Sequence, residues 1–292
     1  MDLSCEEKLQ NSGNHTALGK PVDMCIAGPD PALDRDPRVL INLIILERAH
    51  ALHTNYFKNV QIDVQPFMRK VVTTWMLEVC EEQQCEEQVF PLAVSYMDRF
   101  LAKTPISRQQ LQLLAVTAML IASKFRQCHP LSIDLLCAYT DNSVLPSEVR
   151  LWEVLVMQEL QWKLSIATAF DYIAPMLARS SWGKQNPLVR SHAITLTSVC
   201  YIDEDLFILP PSLIAQACII AAARGLNVNL SVAELCALTA SPPAAAEVVA
   251  QHVEDILCKE TSSQRQVTPI KQPTSPTTHI PTTPTDVQDV HY

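Results

Sequence analysis

Apolar and polar residues alternate with the period of an α-helix through most of the chain. In the stretch from residue 66 to 101, apolar side chains recur at steps of three or four positions, which places them on one face of a helix. Two such stripes run along the first helix of this stretch: Met68, Val72, Trp75 and Val79 form one, and Phe67, Val71, Thr74 and Leu77 form the other. This helix therefore carries more apolar surface than a single core contact needs.

The same pattern predicts a leading helix and two successive sets of five helices, so the fold class we expect is all-α. Prolines, serines and threonines mark most of the predicted starts. The third helix of each set has an alanine-rich centre, which lets neighbouring helices approach closely and predicts a central position. The leading helix spans 34–53; the first set spans 66–83, 86–103, 107–125, 130–139 and 146–162, and the second spans 168–179, 188–203, 210–225, 231–239 and 242–259.

Changes in composition divide the chain into four segments. We expect a mobile N-terminal tail at 1–33, a first helical domain with its leading helix at 34–164, and a second helical domain at 165–260. The last segment, 261–292, is rich in Thr, Ser and Pro and poor in large apolar residues. Such a segment cannot bury enough surface to offset its chain entropy, so we expect it to be disordered.

Charge and composition exclude several functional classes. The net charge is −9 and the basic residues do not cluster, so we expect no nucleic-acid partner. No pair among the five glycines has the spacing of a phosphate-binding loop. The longest apolar runs are too short to span a bilayer, and the acidic start lacks the apolar region of a signal peptide. We therefore expect no membrane partner.

The residues also predict no catalytic site, no metal site and no cofactor. The ten cysteines include no CxxC pair, and those at 137, 200, 218 and 236 lie in apolar helical runs, as is typical of free, buried thiols in a reducing compartment. None of the eight histidines has a nearby nucleophile in a turn or forms an HExxH motif. The glutamate-rich run 81–87 is typical of a solvated turn between helices.

Four segments, in this order along the chain, resemble the cyclin box, and most closely that of D-type cyclins. They are MRKVVTTWMLEVCEEQQCEEQVFPLAVSYMDRFL, LQLLAVTAMLIASKF, PLSIDLLCAYTDNS and WEVLVMQELQW. The resemblance covers about residues 34–260 and implies two tandem five-helix cyclin folds with a leading N-terminal helix and disordered tails. The second half departs more from the family pattern and supports the fold better than any site.

The resemblance implies a kinase-binding surface. Lys124, at the end of the third helix of the first set, would reach backbone carbonyls of a bound kinase, and Glu153 would accept hydrogen bonds from its backbone N–H groups. Phe125, Met157 and Trp162 would supply apolar contacts around them. Without the resemblance, Lys124 would be interpreted as a solvated lysine favoured by the dipole of its helix.

The resemblance also implies a groove that docks short Arg-x-Leu peptides, with Glu78 holding the arginine. Judged from the residues alone, the Met and aromatic stripe of this helix would be core. Lys70 and the short Val72 replace residues found in many cyclins and are expected to alter peptide preference. The groove is formed by Met68, Val71, Val72, Trp75, Glu78, Leu111 and Gln112.

Two further motifs lie in the tails. Leu3, Cys5 and Glu7 fit the LxCxE pattern by which D-type cyclins bind the retinoblastoma pocket. Thr283 lies in TTPTDVQDV, which resembles the segment of D-type cyclins where threonine phosphorylation promotes nuclear export and ubiquitin-dependent destruction. A phosphate there would add close to two negative charges beside Asp286.

The resemblance thus implies a regulatory subunit, not an enzyme. It would bind and activate a cyclin-dependent kinase of the 4/6 class and recruit a retinoblastoma-family protein to promote the G1/S transition. Kinase inhibitors and a ubiquitin ligase would be further partners, and the expected location is nucleus and cytoplasm.

Other classes stay open at this stage. A helical scaffold like transcription factor IIB would need basic surfaces for DNA. A helical enzyme would show turnover without a kinase. A transcriptional cyclin is a milder alternative, against which the LxCxE and TTPTDV motifs argue.

Overall fold

The computed structural model describes residues 36–183 and 186–265, with side chains described as far as residue 259. Within these residues the chain forms α-helices, a 3-10 turn at Arg108–Gln110 and no β-strand, so the all-α prediction is confirmed. The helices are α1 (Pro37–His50), α2 (Tyr56–Asn59), α3 (Pro66–Glu82), α4 (Val89–Leu101), α5 (Leu111–Arg126), α6 (Ile133–Ala138), α7 (Pro146–Glu159), α8 (Ala169–Arg179), α9 (Pro187–Ile202), α10 (Pro211–Gly225), α11 (Val232–Ala237) and α12 (Pro243–Arg265).

Prolines determine where half of these helices begin. Proline is favoured in the first helical turn because its fixed φ suits the helix and the N–H it lacks would have no partner there. In each of the two Pro-Pro pairs the second proline begins the helix, one residue later than the sequence pattern predicted. Prolines stand at the first positions of α1, α3, α7, α9, α10 and α12.

The ends of several helices differ from the prediction for local reasons. Asp36 is the N-cap of α1, and its carboxylate accepts a hydrogen bond from the Arg38 N–H at 2.9 Å. At the start of α7 the Glu148 carboxylate accepts a hydrogen bond from the Leu145 N–H at 3.0 Å. Helix α1 ends at His50, three residues early, and the four-residue helix α2 was not predicted.

Each half of the chain is built around one central helix. Helix α5 is buried over nearly all of its length and contacts α3, α4, α6 and α7. Helix α10 does the same in the second half, where it contacts α8, α9, α11 and α12. Both predictions of a central helix are confirmed, since small side chains along α5 and α10 let the neighbours pack closely. The cysteines predicted to be core are also buried: Cys137, Cys200, Cys218 and Cys236.

A buried ion pair joins the two halves. The Arg69 guanidinium on α3 is fully buried and donates two hydrogen bonds of 2.8 Å to the Asp98 carboxylate on α4, which also accepts one from the Tyr56 hydroxyl at 2.7 Å. Burial by itself lowers the pKa of Arg69, but the Asp98 carboxylate outweighs this and raises the pKa above its ordinary value. The charged guanidinium can therefore cap the end of α9, where it donates to the backbone carbonyls of Tyr201, Ile202 and Asp203 at 3.0, 3.3 and 3.1 Å.

Candidate protein-interaction surfaces

Lys124 and Glu153 meet on the outside of the first half. Lys124 lies in the last turn of α5 and Glu153 in the middle of α7, and the Lys124 Nζ donates to Glu153 Oε1 at 2.6 Å. Their side chains keep 47% and 25% of their surface exposed, so the pair lies at the protein surface. The structure thus brings together the two charged residues of the predicted kinase-binding surface. Their role in binding stays a prediction.

The three apolar residues predicted for the same surface differ in exposure. Phe125 is 43% exposed, while Met157 is half-buried and packs against the core. Trp162 is 66% exposed and lies just beyond the end of α7. It is presented by a turn in which both Gln161 and Trp162 have left-handed backbone conformations, with φ of 56° and 58°. Such conformations are unfavourable for residues other than glycine and are a reason to look for a function.

Sequence reasoning missed further apolar side chains on α7. Leu151, Val154 and Leu155 are 73%, 52% and 38% exposed and lie on the side of the helix opposite the buried Val149 and Val156. The signal was present in the sequence, because α7 is apolar around more of its circumference than one core-facing stripe requires. Large exposed apolar patches mark interaction surfaces in soluble proteins, so these three side chains are further candidates for the predicted kinase-binding surface.

All seven residues of the predicted docking groove line one depression of about 960 Å³ between α3 and the start of α5. Leu111 is buried and forms part of its floor, Val71 and Glu78 are exposed, and Met68 and Trp75 are half-buried. The structure therefore brings these residues together. Its further lining residues were not predicted and come from three segments: Phe67, Val79, Glu82, Arg108, Tyr139, Thr140, Asp141 and Ser143.

One detail of the groove corrects the sequence interpretation. Val72 was expected on an exposed stripe but is only 8% exposed, because the buried side of α3 runs through Arg69, Val72 and Met76. Lys70 is exposed and is not among the residues that line the groove. Its effect on peptide preference stays a prediction.

Acidic residues surround most of the groove's rim. Glu78 and Glu82 lie one turn apart on α3, and Asp141 lies across from them, with Arg108 as the one cation among the described lining residues. An apolar floor with this rim suits an extended peptide that has one basic and one apolar side chain. Binding of the arginine by Glu78 stays a prediction.

Several predicted site residues lie outside the described residues. These are the motif residues Leu3, Cys5 and Glu7 and the phosphorylation residue Thr283.

One group of side chains in the described region could hold a metal ion by distance alone. Ligand atoms of Asp203, Asp205 and His252 lie within 4.8 Å of one another. Asp203 Oδ1 already accepts hydrogen bonds from the N–H groups of Asp205 and Leu206, at 2.9 and 3.2 Å, so this turn is explained without an ion. None of the helices in the described part of the chain is long and apolar enough to cross a membrane.

Comparison with known proteins agrees with this architecture. The model of the cyclin N-terminal domain matches residues 38–165, and that of the cyclin C-terminal domain matches residues 167–280. The G1/S-specific cyclin-D2 of Xenopus laevis is 40% identical over 91% of this chain and 95% of its own length, and the G1/S-specific cyclin-D3 of Homo sapiens is 48% identical over 69% of each chain. The X-ray structure of a viral cyclin from herpesvirus saimiri is 25% identical, covers 75% of this chain and 96% of its own, and superposes with a TM-score of 0.66.

The two matched domains, in this order on a helical fold with two central helices, are those of a cyclin. The chain belongs to the cyclin family, among the D-type cyclins. Cyclins are regulatory subunits of kinase complexes, so this chain is the regulatory subunit of a cyclin-dependent kinase rather than an enzyme.

Proposed function

We propose that this chain binds and activates a cyclin-dependent kinase of the 4/6 class through the surface formed by the end of α5, α7 and Trp162. It recruits a retinoblastoma-family substrate to the complex and so promotes passage from G1 to S phase. The observation that carries the proposal is the Lys124–Glu153 pair at 2.6 Å beside exposed apolar side chains of α5 and α7.

A charged pair in such a setting can fix the register of a partner. The Lys124 ammonium has three N–H groups, of which one is directed at Glu153, so two remain for carbonyl oxygens of a bound chain. Charge-assisted hydrogen bonds of this kind become stronger when the surrounding apolar surface excludes water. The apolar side chains around the pair supply contact area, while the pair itself selects the position of the partner.

Activation then follows from preferential binding. The surface belongs to two packed helices of the first half, so it is a rigid platform. A kinase that matches this platform better in its active conformation has its equilibrium shifted towards that conformation by the difference in binding free energy. The chemistry of phosphoryl transfer stays with the kinase.

Substrate recruitment uses separate parts of the chain. The groove between α3 and α5 offers an apolar floor and an acidic rim to an Arg-x-Leu segment, and the LxCxE motif at Leu3, Cys5 and Glu7 offers a contact to the retinoblastoma pocket. Holding a substrate at one or both sites raises its effective concentration at the kinase.

The chain's own turnover and location belong to the same proposal. Phosphorylation of Thr283 would create a charged recognition surface for a ubiquitin ligase and promote export, so the chain would be found in both nucleus and cytoplasm. Kinase inhibitors would act on the assembled complex.

The test compares kinase capture by the parent chain, by Lys124→Glu and by Arg224→Glu. Arg224 ends α10 as Lys124 ends α5, and it pairs with Glu247 and Glu254 on α12, so its reversal is a matched control in the second half. We expect Lys124→Glu to lose at least about tenfold in kinase affinity, since it places two carboxylates side by side at the interface. Arg224→Glu should retain kinase binding.

Phosphorylation of a retinoblastoma fragment by the captured kinase, with circular dichroism of each variant, completes the experiment. Equal kinase binding by the parent and Lys124→Glu, with both folded, would refute the proposed surface.

A further inference from the structure

A basic cavity of about 320 Å³ lies between the end of α1, the end of α4 and the segment that follows α7. Its volume falls within the roughly 300–1,000 Å³ of typical ligand sites. Five of its lining residues carry basic side chains: His50, His53, Arg99, Lys103 and Lys163. Among its described lining residues there is no aspartate or glutamate. In a chain with a net charge of −9, such a local excess of positive charge needs an explanation.

The three permanent cations of this cavity make their recorded hydrogen bonds only to uncharged oxygens. Arg99 donates to the Lys163 carbonyl at 3.0 Å and Lys103 Nζ donates to the Glu159 carbonyl at 2.9 Å. Lys163 Nζ donates to Gln161 Oε1 at 3.0 Å. In the described residues none of the three forms an ion pair, in contrast to Arg69, whose charge is matched by a carboxylate.

Helix ends account for only part of this charge. The carbonyl ends of α1, α4 and α7 all border the cavity, and each provides the equivalent of about −0.5 charge. Together they offset about half of the three permanent positive charges, which leaves between one and two facing the cavity. Capping of helix ends therefore explains the position of Lys103 but not the whole cluster.

The pKa of His50 reflects the positive electrostatic potential inside the cavity. It is half-buried, and its Nδ1 donates to the Leu46 carbonyl at 2.9 Å. Burial lowers the pKa of His50, and Arg99, Lys163 and Lys103 lower it further because they repel its protonated form. A group that feels three cations at once lies in a region of positive potential, where a dianion is stabilised.

We propose that this cavity binds a phosphate monoester, the side chain of a phosphorylated serine or threonine in a protein segment. A phosphate carries about −1.5 to −2 charges at neutral pH, comparable to the unbalanced positive charge of the cavity, and its oxygens can accept hydrogen bonds from both lysines and the guanidinium. The site is distinct from the docking groove and shares no lining residue with it. It adjoins Trp162, so a segment held there would lie beside the proposed kinase surface.

The experiment measures binding by calorimetry at fixed ionic strength, with the full chain and three probes. The probes are a short neutral peptide with one phosphothreonine, the same peptide without phosphate, and inorganic phosphate. The test variant is Lys103→Gln with Lys163→Gln. The control, Lys58→Gln with Lys70→Gln, removes the same net charge at exposed positions elsewhere.

We expect the phosphopeptide to bind the parent and the test variant to bind it at least about tenfold more weakly, the effect of losing one charged hydrogen bond or more. The control should stay within about twofold, because general attraction at the surface is screened. Equal affinity for both peptides, or equal losses in test variant and control, would overturn the proposal. Inorganic phosphate could instead bind the parent as tightly as the phosphopeptide does and lose this binding in the test variant. That result would overturn the claim that the phosphate belongs to a protein segment and would identify the free anion as the ligand.

The single variant Lys163→Gln guards against misfolding. Lys163 Nζ contacts only the Gln161 side chain among its recorded hydrogen bonds, so its loss leaves the carbonyl end of α7 capped by Lys103. If this folded variant binds the phosphopeptide as tightly as the parent does, the site is not the one proposed.

Discussion

Replacing Arg69 with methionine should destabilise the whole chain strongly. The substitution removes the charge but keeps an apolar stem of similar length. Asp98, which is 4% exposed, would then retain only the Tyr56 hydroxyl as a recorded donor, at 2.7 Å. The carbonyls of residues 201–203 would lose their donor as well. Breaking one side of a buried ion pair costs about 3–5 kcal/mol, mostly because the remaining charge is left uncompensated.

Denaturant unfolding monitored by circular dichroism measures this change in the free energy of unfolding. For a chain of this size the loss corresponds to a fall in Tm of roughly 6–20 °C. The double variant Arg69→Met with Asp98→Leu should recover a large part of the stability, because it removes the unpaired carboxylate. The reasoning would be refuted by a loss below about 1 kcal/mol in Arg69→Met, or by a double variant no more stable than the single one.

Two further predictions concern the groove and the start of α1. Glu78→Lys should weaken docking of an Arg-x-Leu peptide by about tenfold, measured by fluorescence anisotropy, while kinase capture stays at the parent level; an unchanged peptide affinity would exclude Glu78 as the arginine's partner. The Arg38 side chain, by hydrogen bonding, holds the pKa of Asp36 at about 2, below its ordinary 3.8. The stability that Asp36 contributes is therefore present above pH 3.8 and lost as pH falls through 2. The difference in unfolding free energy between the parent and Asp36→Asn should shrink as the pH falls through this range. A difference that does not change with pH would contradict the assignment.

The helical architecture could be predicted because its signals are local. Proline at a helix start, an apolar stripe and an alanine-rich centre each act within one or two turns of chain. Small errors arose where two adjacent residues offered the same signal, as in the Pro-Pro pairs before α10 and α12. The choice between them is also local, because a residue that precedes proline is disfavoured in the helical region, and Pro210 is extended with φ −57° and ψ 134°.

Site residues could be predicted where the family resemblance supplied them, but not where they come together only in the folded chain. Lys124 and Glu153 were paired in advance through the family resemblance, and the seven groove residues were grouped in the same way. The role of Arg69 was missed, because a charged residue in an amphipathic helix normally faces water. Its partner Asp98 is 29 residues away and its carbonyl acceptors lie more than 130 residues away, so no sequence window contains the arrangement. The basic cavity was missed for the same reason, since its residues come from three separated segments.

The left-handed pair Gln161–Trp162 connects the stability of the free chain with its affinity for a partner. Each such residue costs on the order of 1 kcal/mol, which the folded chain bears in order to hold one indole outside its core. The two residues fix the backbone that carries the indole, so packing of a partner on Trp162 would cost less backbone entropy than packing on a mobile turn. The isolated subunit is slightly less stable than a relaxed turn would make it, and such a complex would be tighter for the same reason.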